Sequence, residues 1–318
     1  MVCNSISIFI YLLAFTSTIG NIIVLFAFVL DGITDKVLQP LDRIIVIMAL
    51  VNLLLCCYKE VPAVLSFAST GVFGERGYRI LLYMYHMLRL ISIWSVENLS
   101  FLHLIKIHRP NHPRSKFIYR HQGQYVNSIL AGCWIFSIVF QLPYLQYNTT
   151  AESISNETVA CLATSTCLSS PGSFIMKFTT YASVALDLIF IILVIVLNGF
   201  IIHLLWRQRR KTRAASTTGS TWNKHTAQAT KILLSLLSIY VVCWPSNDIT
   251  WIALVSGLLK HNFENSILRG RYGVLSCIYY SSNSYVIVFG YKKVSRYLTE
   301  ACWCLRCKKP TIVQSTEV

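Results

Sequence analysis

From Ile6 to Leu30 the chain runs without one charged side chain, far enough to cross a bilayer, whose hydrocarbon core takes about 20 residues of helix. Comparable apolar stretches follow at residues 41–68, 78–107, 125–147, 174–206, 230–258 and 272–289. In lipid the backbone must satisfy its own N–H and C=O groups, so stretches of this kind form helices. The polar links between them are short, except for one of middle length after the fourth stretch and a basic one after the fifth. The expected fold is an all-α membrane protein in which residues 1–318 form one seven-transmembrane-helix bundle, with residues 291–305 free to lie on the membrane surface as an amphipathic helix.

Composition agrees, since 54% of the residues are hydrophobic and 13% charged, where a soluble domain carries about 25% charged residues. The net charge of +15 raises the question of nucleic acid. Such a partner needs basic and aromatic residues interleaved on a soluble surface, and here Lys and Arg sit in links between apolar runs, so none is expected. Met1 to Ser7 has no basic side chain, which argues for a retained first helix over a cleaved signal peptide.

Lys and Arg gather after stretches 1, 3 and 5 and in the tail. Lys106, Arg109, Arg114, Lys116 and Arg120 follow the third, Arg207, Arg209, Arg210 and Lys211 the fifth, and Lys292 and Lys293 the last. Residues 148–173 contain no Lys or Arg. Cytoplasmic links retain positive charge, so the N-terminus is expected outside and the C-terminus inside. Glycosylation sequons at Asn148 and Asn156 fall in the same outward link and support that orientation independently. A third, Asn98-Leu-Ser, lies within a span and should be unused.

Transporters tend to carry internal repeats with interrupted helices, and channels carry pore motifs or charged rings; neither pattern is present. An intramembrane enzyme needs a catalytic constellation, and no helix offers one, so neither enzymatic activity nor a cofactor or metal is expected. A receptor fits best, with a small-solute transporter as the reading outside that class.

Gly20-Asn21, Gln39-Pro40-Leu41-Asp42, Leu50-Val51-Asn52-Leu53-Leu54, Tyr83 through Arg89 to Ile93, Leu99-Ser100, Ala229 to Ser238, and Val286-Ile287-Val288 with Lys293 to Leu298 occur in order along the chain. In order and spacing they resemble the vomeronasal type 1 pheromone receptors and the related class-A-like olfactory receptors of fish. That resemblance implies a chemosensory receptor in the plasma membrane that binds a small odorant or pheromone and activates a heterotrimeric G protein. Bitter taste receptors are the nearest competing family. The chain departs from the family pattern at Gly77-Tyr78-Arg79, where a cysteine is usual, so the usual disulfide to the outer loop cannot form. Cys161 and Cys167 are left to pair with each other on the oxidising outer face. The third span ends Lys106-Ile107-His108-Arg109-Pro110 instead of with the Asp-Arg-Tyr of ordinary rhodopsin-like receptors.

Ionisable groups inside spans are the candidate ligand contacts, because each costs roughly 2 to 3 kcal/mol to insert and faces a bundle interior or cavity. At 100° per residue, His86, Arg89, Glu97 and Ser100 share one side of the third helix. Arg89, with His86 or with Lys59 of the second helix, is placed to anchor an acidic or strongly hydrogen-bonding ligand, since a desolvated guanidinium takes a carboxylate or sulfate bidentately, and Glu60 beside Lys59 reaches the same space. The other reading is an internal ion pair with Glu60 or Glu97. Asn247 and Asp248 follow Trp244-Pro245, where a proline makes a hinge that a ligand can bias, or where polar groups simply pack around it. Lys106, Arg109, Arg114, Arg207, Arg210 and Lys293 form a basic inner rim suited to the G protein, though topology and anionic membrane lipid also call for such residues. Cys302, Cys304 and Cys307 beside basic residues are candidate palmitoylation sites.

Overall fold

The structure is a computed structural model and describes residues 2–35, 38–67, 75–107, 117, 120–146, 174–214, 234–235, 238–250, 252–253, 262–291 and 294–299. The described residues are helical, with no strand among them. The long helices are α1 (Val2–Asp35), α2 (Pro40–Phe67), α3 (Glu75–Ile107), α4 (Gln122–Phe140) and α5 (Phe174–Ala214), then α6 (238–250) and α7 (Asn262–Gly290). Several outrun their apolar stretches. α5 continues eight residues past Trp206 into basic sequence, and α7 begins ten residues before Tyr272, because a helix satisfies its own backbone in water as well as in lipid.

Among the described residues, α1, α2, α4 and α5 each contain a window apolar enough to cross a membrane by composition alone. α3 and α7 are more polar because they are interior helices: Arg89, Ser92 and Ser95 of α3 and Ser276, Asn283 and Ser284 of α7 are buried. The outward faces are apolar. On α1 the exposed side chains Ile8, Leu12, Phe15, Ile19, Ile22, Phe26, Val29 and Ile33 recur every three or four residues, which is the stripe a lipid-facing helix presents.

α1 packs between α2 and α7, and α3 is packed by α2, α4 and α5. The α1–α7 contact is close because glycines permit it. A Cβ built on Gly20 would lie 2.9 Å from Ser284 Cβ, and one on Gly273 only 2.8 Å from Ile10 Cδ1. Without a hydrophobic force between helices in lipid, such small-residue approaches and buried hydrogen bonds hold the bundle. Asn52 Oδ1 accepts from Ser92 Oγ at 3.0 Å, and Ser92 reaches Tyr279 Oη at 3.3 Å, joining α2, α3 and α7. Asn198 Nδ2 of α5 donates to Ser100 Oγ of α3 at 3.0 Å.

The chain after α7 is tied back to the C-terminal end of α1 and the N-terminal end of α2. Tyr291 Oη donates to Asp42 Oδ1 at 2.5 Å, and Tyr297 Oη, on a short helical segment at 294–299, donates to Asp31 Oδ1 at 3.3 Å. Burial, and then the neighbouring Asp42 charge, push the Tyr291 phenol up, so it stays a donor.

Candidate functional site

α3 carries the side chain around which the interior is arranged. Arg89 Nη2 donates to Asp187 Oδ2 of α5 at 2.5 Å and also to Asp248 Oδ1 of α6. The three side chains are 3%, 1% and 2% exposed, so neither the charges nor their hydrogen bonds are shared with solvent. The guanidinium carbon also sits 4.7 Å from the ring centroid of Trp244, one turn before Asp248, in a cation–π contact. Trp244 in turn meets Tyr279 of α7 edge-on at 5.0 Å. Next to Asp248, Asn247 Nδ2 donates to Ser276 Oγ of α7 at 3.2 Å. One cation thus joins α3, α5 and α6, and the residues beside it on α6 carry the linkage to α7.

Among the described residues the cluster has two carboxylates for one guanidinium. A surplus negative charge is costly in a dry interior, so the site has a place for one more positive charge, whether a proton held between the carboxyls or a cation brought by a ligand. Asp248 Oδ2 is buried and makes no hydrogen bond among the described residues, which leaves an acceptor on the α6 side.

His86 lies one turn before Arg89 on α3 and is 2% exposed. Its ring stacks on Tyr144 at 4.1 Å with 10° between planes and meets Tyr85 edge-on at 5.3 Å. Tyr144 arrives there because α4 stops at Phe140, just before Pro143, which has no N–H for a continuing helix, and Leu142–Gln146 tightens into a 3-10 turn. That turn is fastened to α5 by Tyr144 Oη with Thr180 Oγ1 at 3.2 Å and by Gln141 Nε2 donating to Ser183 Oγ at 3.5 Å. His86 is therefore covered by the turn that follows α4, and Arg89 by α5.

Of the sequence candidates, His86, Arg89, Asn247 and Asp248 come together in this region. Lys59 and Glu60 belong to α2, but their side chains lie outside the described residues, as do those of Lys106 and Arg210. Arg207 is exposed on α5. Arg109, Arg114, Lys293, Asn148, Asn156, Cys161, Cys167, Cys302, Cys304 and Cys307 also lie outside the described residues. The shared side of α3 that holds His86, Arg89, Glu97 and Ser100 does face α5, yet Glu97 makes no ion pair with Arg89. Glu97 instead lines a groove of about 490 Å³ between α3, α4 and α5.

Asp187 is the functional candidate that sequence reasoning passed over. Its signal was present: it is the only charged residue between Phe178 and Ile202, an apolar run of bilayer length. A lone carboxylate in such a run needs a partner of opposite charge on another helix.

Comparison with known proteins agrees with this architecture. Residues 4–299 match the model of the vomeronasal organ pheromone receptor family. The chain is similar to olfactory receptor class A-like protein 4 of Danio rerio, 25% identical with 90% of this chain and 86% of the relative covered. It is also similar to vomeronasal type-1 receptor 40 of Mus musculus, at 23% identity over 83% of this chain and 84% of the relative. Taste receptor type 2 member 7 of Macaca mulatta is 20% identical, with 90% and 88% covered. All three are receptors, none an enzyme. With a family match running from the start of α1 past α7, the chain belongs to the vomeronasal organ pheromone receptor family and is a seven-helix, G-protein-coupled chemosensory receptor of the plasma membrane.

Proposed function

We propose that the ligand acts on the Arg89 cluster, and that the ionic linkage of α3, α5 and α6 is the element whose two states it biases. The observation that carries this reading is that Arg89 is shared between Asp187 and Asp248 on two different helices. An acidic odorant or pheromone that takes one carboxylate's place on the guanidinium frees α5 or α6, so binding and helix movement are the same event. His86 and Asn247 flank that exchange, and Lys59 and Glu60 are kept as further candidates on α2. A ligand that prefers the released state shifts the population toward it.

The surplus carboxylate supports a second ligand class. A basic ligand neutralises Asp187 and Asp248 without displacing Arg89, and so tightens the cluster instead of releasing it. The two classes differ in their dependence on Asp248. In cells expressing the chain with a G protein, a screen of acidic, steroidal and amine odorants is followed by the Arg89→Ala and Asp248→Asn variants, with surface expression measured in parallel. An acidic agonist loses its response in Arg89→Ala and keeps or gains potency in Asp248→Asn; an amine agonist loses it in Asp248→Asn. Unchanged potency in both variants, at normal surface expression, removes the cluster from the ligand site.

The remaining assignments follow the same reading. Positive charge after α1, α3 and α5 supports an N-terminus outside and a C-terminus inside, with Asn148 and Asn156 glycosylated and Cys161 paired with Cys167 in the outer link. Lys106, Arg109, Arg114, Arg207, Arg210 and Lys293 then rim the G-protein face and contact anionic lipid. Cys302, Cys304 and Cys307 anchor the tail by palmitoylation.

A further inference from the structure

A second ionisable group on α3 is used by nothing in the Arg89 cluster. Glu97 lies eight residues beyond Arg89, roughly 12 Å further along the helix axis at 1.5 Å per residue. Its side chain is half-buried, and it has no hydrogen bond or ion pair among the described residues. The groove of about 490 Å³ that it lines is within the range of small-molecule sites, roughly 300 to 1,000 Å³. Its floor is aromatic, built from Trp94 and Phe101 of α3, Tyr125 of α4 and Phe190 of α5. Trp94 is fixed there by stacking on Phe136 at 5.2 Å and by an edge contact with Phe190 at 5.2 Å.

The groove opens on the outer surface of the bundle. Its α4 rim includes Ser128 and Gly132, both exposed, and a Cβ built on Gly132 meets nothing within 4 Å. At this height along the helices the outer surface meets lipid, so whatever enters comes from the bilayer. A lone carboxylate facing lipid is costly unless a positive charge meets it. Aromatic faces around that carboxylate add cation–π attraction for an ammonium and exclude a second anion.

We infer that the α3–α4–α5 groove is a second, membrane-facing binding site that takes a cationic amphiphile, its ammonium held by Glu97 among Trp94, Phe101 and Tyr125 and its alkyl chain lying along α4. Charge complementarity selects the occupant: a neutral lipid leaves Glu97 without a partner, and an anionic one is repelled. Because the groove wedges between α3 and α5, which Arg89 also joins, an occupant there stiffens the same pair of helices that the ligand cluster must move. The site is therefore placed to modulate the receptor from the membrane.

The test uses the full-length chain in phosphatidylcholine nanodiscs, with radiolabelled dodecylamine as probe and dodecanol as the chain-matched neutral competitor. Wild type is expected to bind dodecylamine saturably, with no displacement by dodecanol. Glu97→Gln keeps the shape and removes the charge, and weakens binding about ten-fold or more, as expected for losing a charge-assisted contact. Gly132→Leu leaves the charge and fills the open groove, and also removes saturable binding. It replaces a helix glycine with a better helix former, so the fold is kept. Asp248→Asn removes the amine contact proposed at the Arg89 cluster, and the component of dodecylamine binding that Glu97→Gln weakens persists in it. Equal affinity in wild type and Glu97→Gln, or displacement by dodecanol as effective as by unlabelled amine, overturns the assignment. So does loss of binding in Asp248→Asn, which moves the amine to the Arg89 cluster.

Discussion

Replacing Arg89 by Met removes the cation but keeps most of the side-chain volume, and leaves Asp187 and Asp248 facing each other with 1% and 2% exposure. Breaking a buried ion pair by deleting one partner costs about 3 to 5 kcal/mol, chiefly because the remaining charge has no compensation. Here two carboxylates are stranded at once, and neither is screened by water. The loss of the Trp244 contact, with the guanidinium 4.7 Å from the ring centroid, adds to it. In a chain of this size such a loss lowers the melting temperature by roughly 10 °C.

The control that separates this argument from simple loss of packing is the triple variant Arg89→Met, Asp187→Asn, Asp248→Asn. Replacing a whole buried ionic cluster with neutral groups of similar volume is often neutral or stabilising. The triple variant is therefore expected to melt near or above wild type, and the single variant well below it. The assay is thermal unfolding of the purified chain in nanodiscs, followed by a thiol-reactive dye at Cys133 and Cys243, which are buried in the fold. A single variant that melts with wild type refutes the view that Arg89 balances both carboxylates. A triple variant no better than the single one shows that geometry, and not charge, sets the cost.

Two other perturbations follow from the packing. Gly20→Val puts a branched side chain where a Cβ alone would lie 2.9 Å from Ser284 Cβ, and is expected to separate α1 from α7 and sharply reduce surface expression, while Gly132→Val on the open α4 rim is tolerated. Tyr291→Phe removes one hydrogen bond to the buried Asp42 carboxylate, with an expected loss of about 1.5 to 3 kcal/mol, as for a bond to a charged group, read as a lower melting temperature.

What could be read from the sequence was what lipid imposes on a chain residue by residue. Apolar length marks helices, and charge inside that length marks the interior, so α3 stood out through Arg89 and α6 through Asp248. The pairing between them was not legible, because it depends on how α3, α5 and α6 turn about their axes, and one sequence carries no record of that rotation. Asp187 shows the difference. As a single polar position in the most apolar stretch it breaks no periodicity, and its meaning appears only when Arg89 is found opposite. The partner of His86 was hidden for a related reason: Tyr144, on which it stacks, is brought in by a 3-10 turn that the apolar run of 125–147 does not announce.

Arg89 and Glu97 lie on one side of the same helix, yet they meet opposite conditions. Arg89 sits where three helices converge, so its charge is matched from α5 and α6 and its position reports their separation. Glu97 sits where α3 parts from α4 and α5, and the space between them is open instead of filled. A helix that paired both groups internally would be a fixed strut. On the functional reading proposed above, with one charge shared between α5 and α6 and the other left at the open groove, α3 receives a signal at the Arg89 cluster and has its movement limited from the groove. Carboxylates dominate both places, so a change in the charge of whatever occupies them alters the balance of helix positions more than a change in its size.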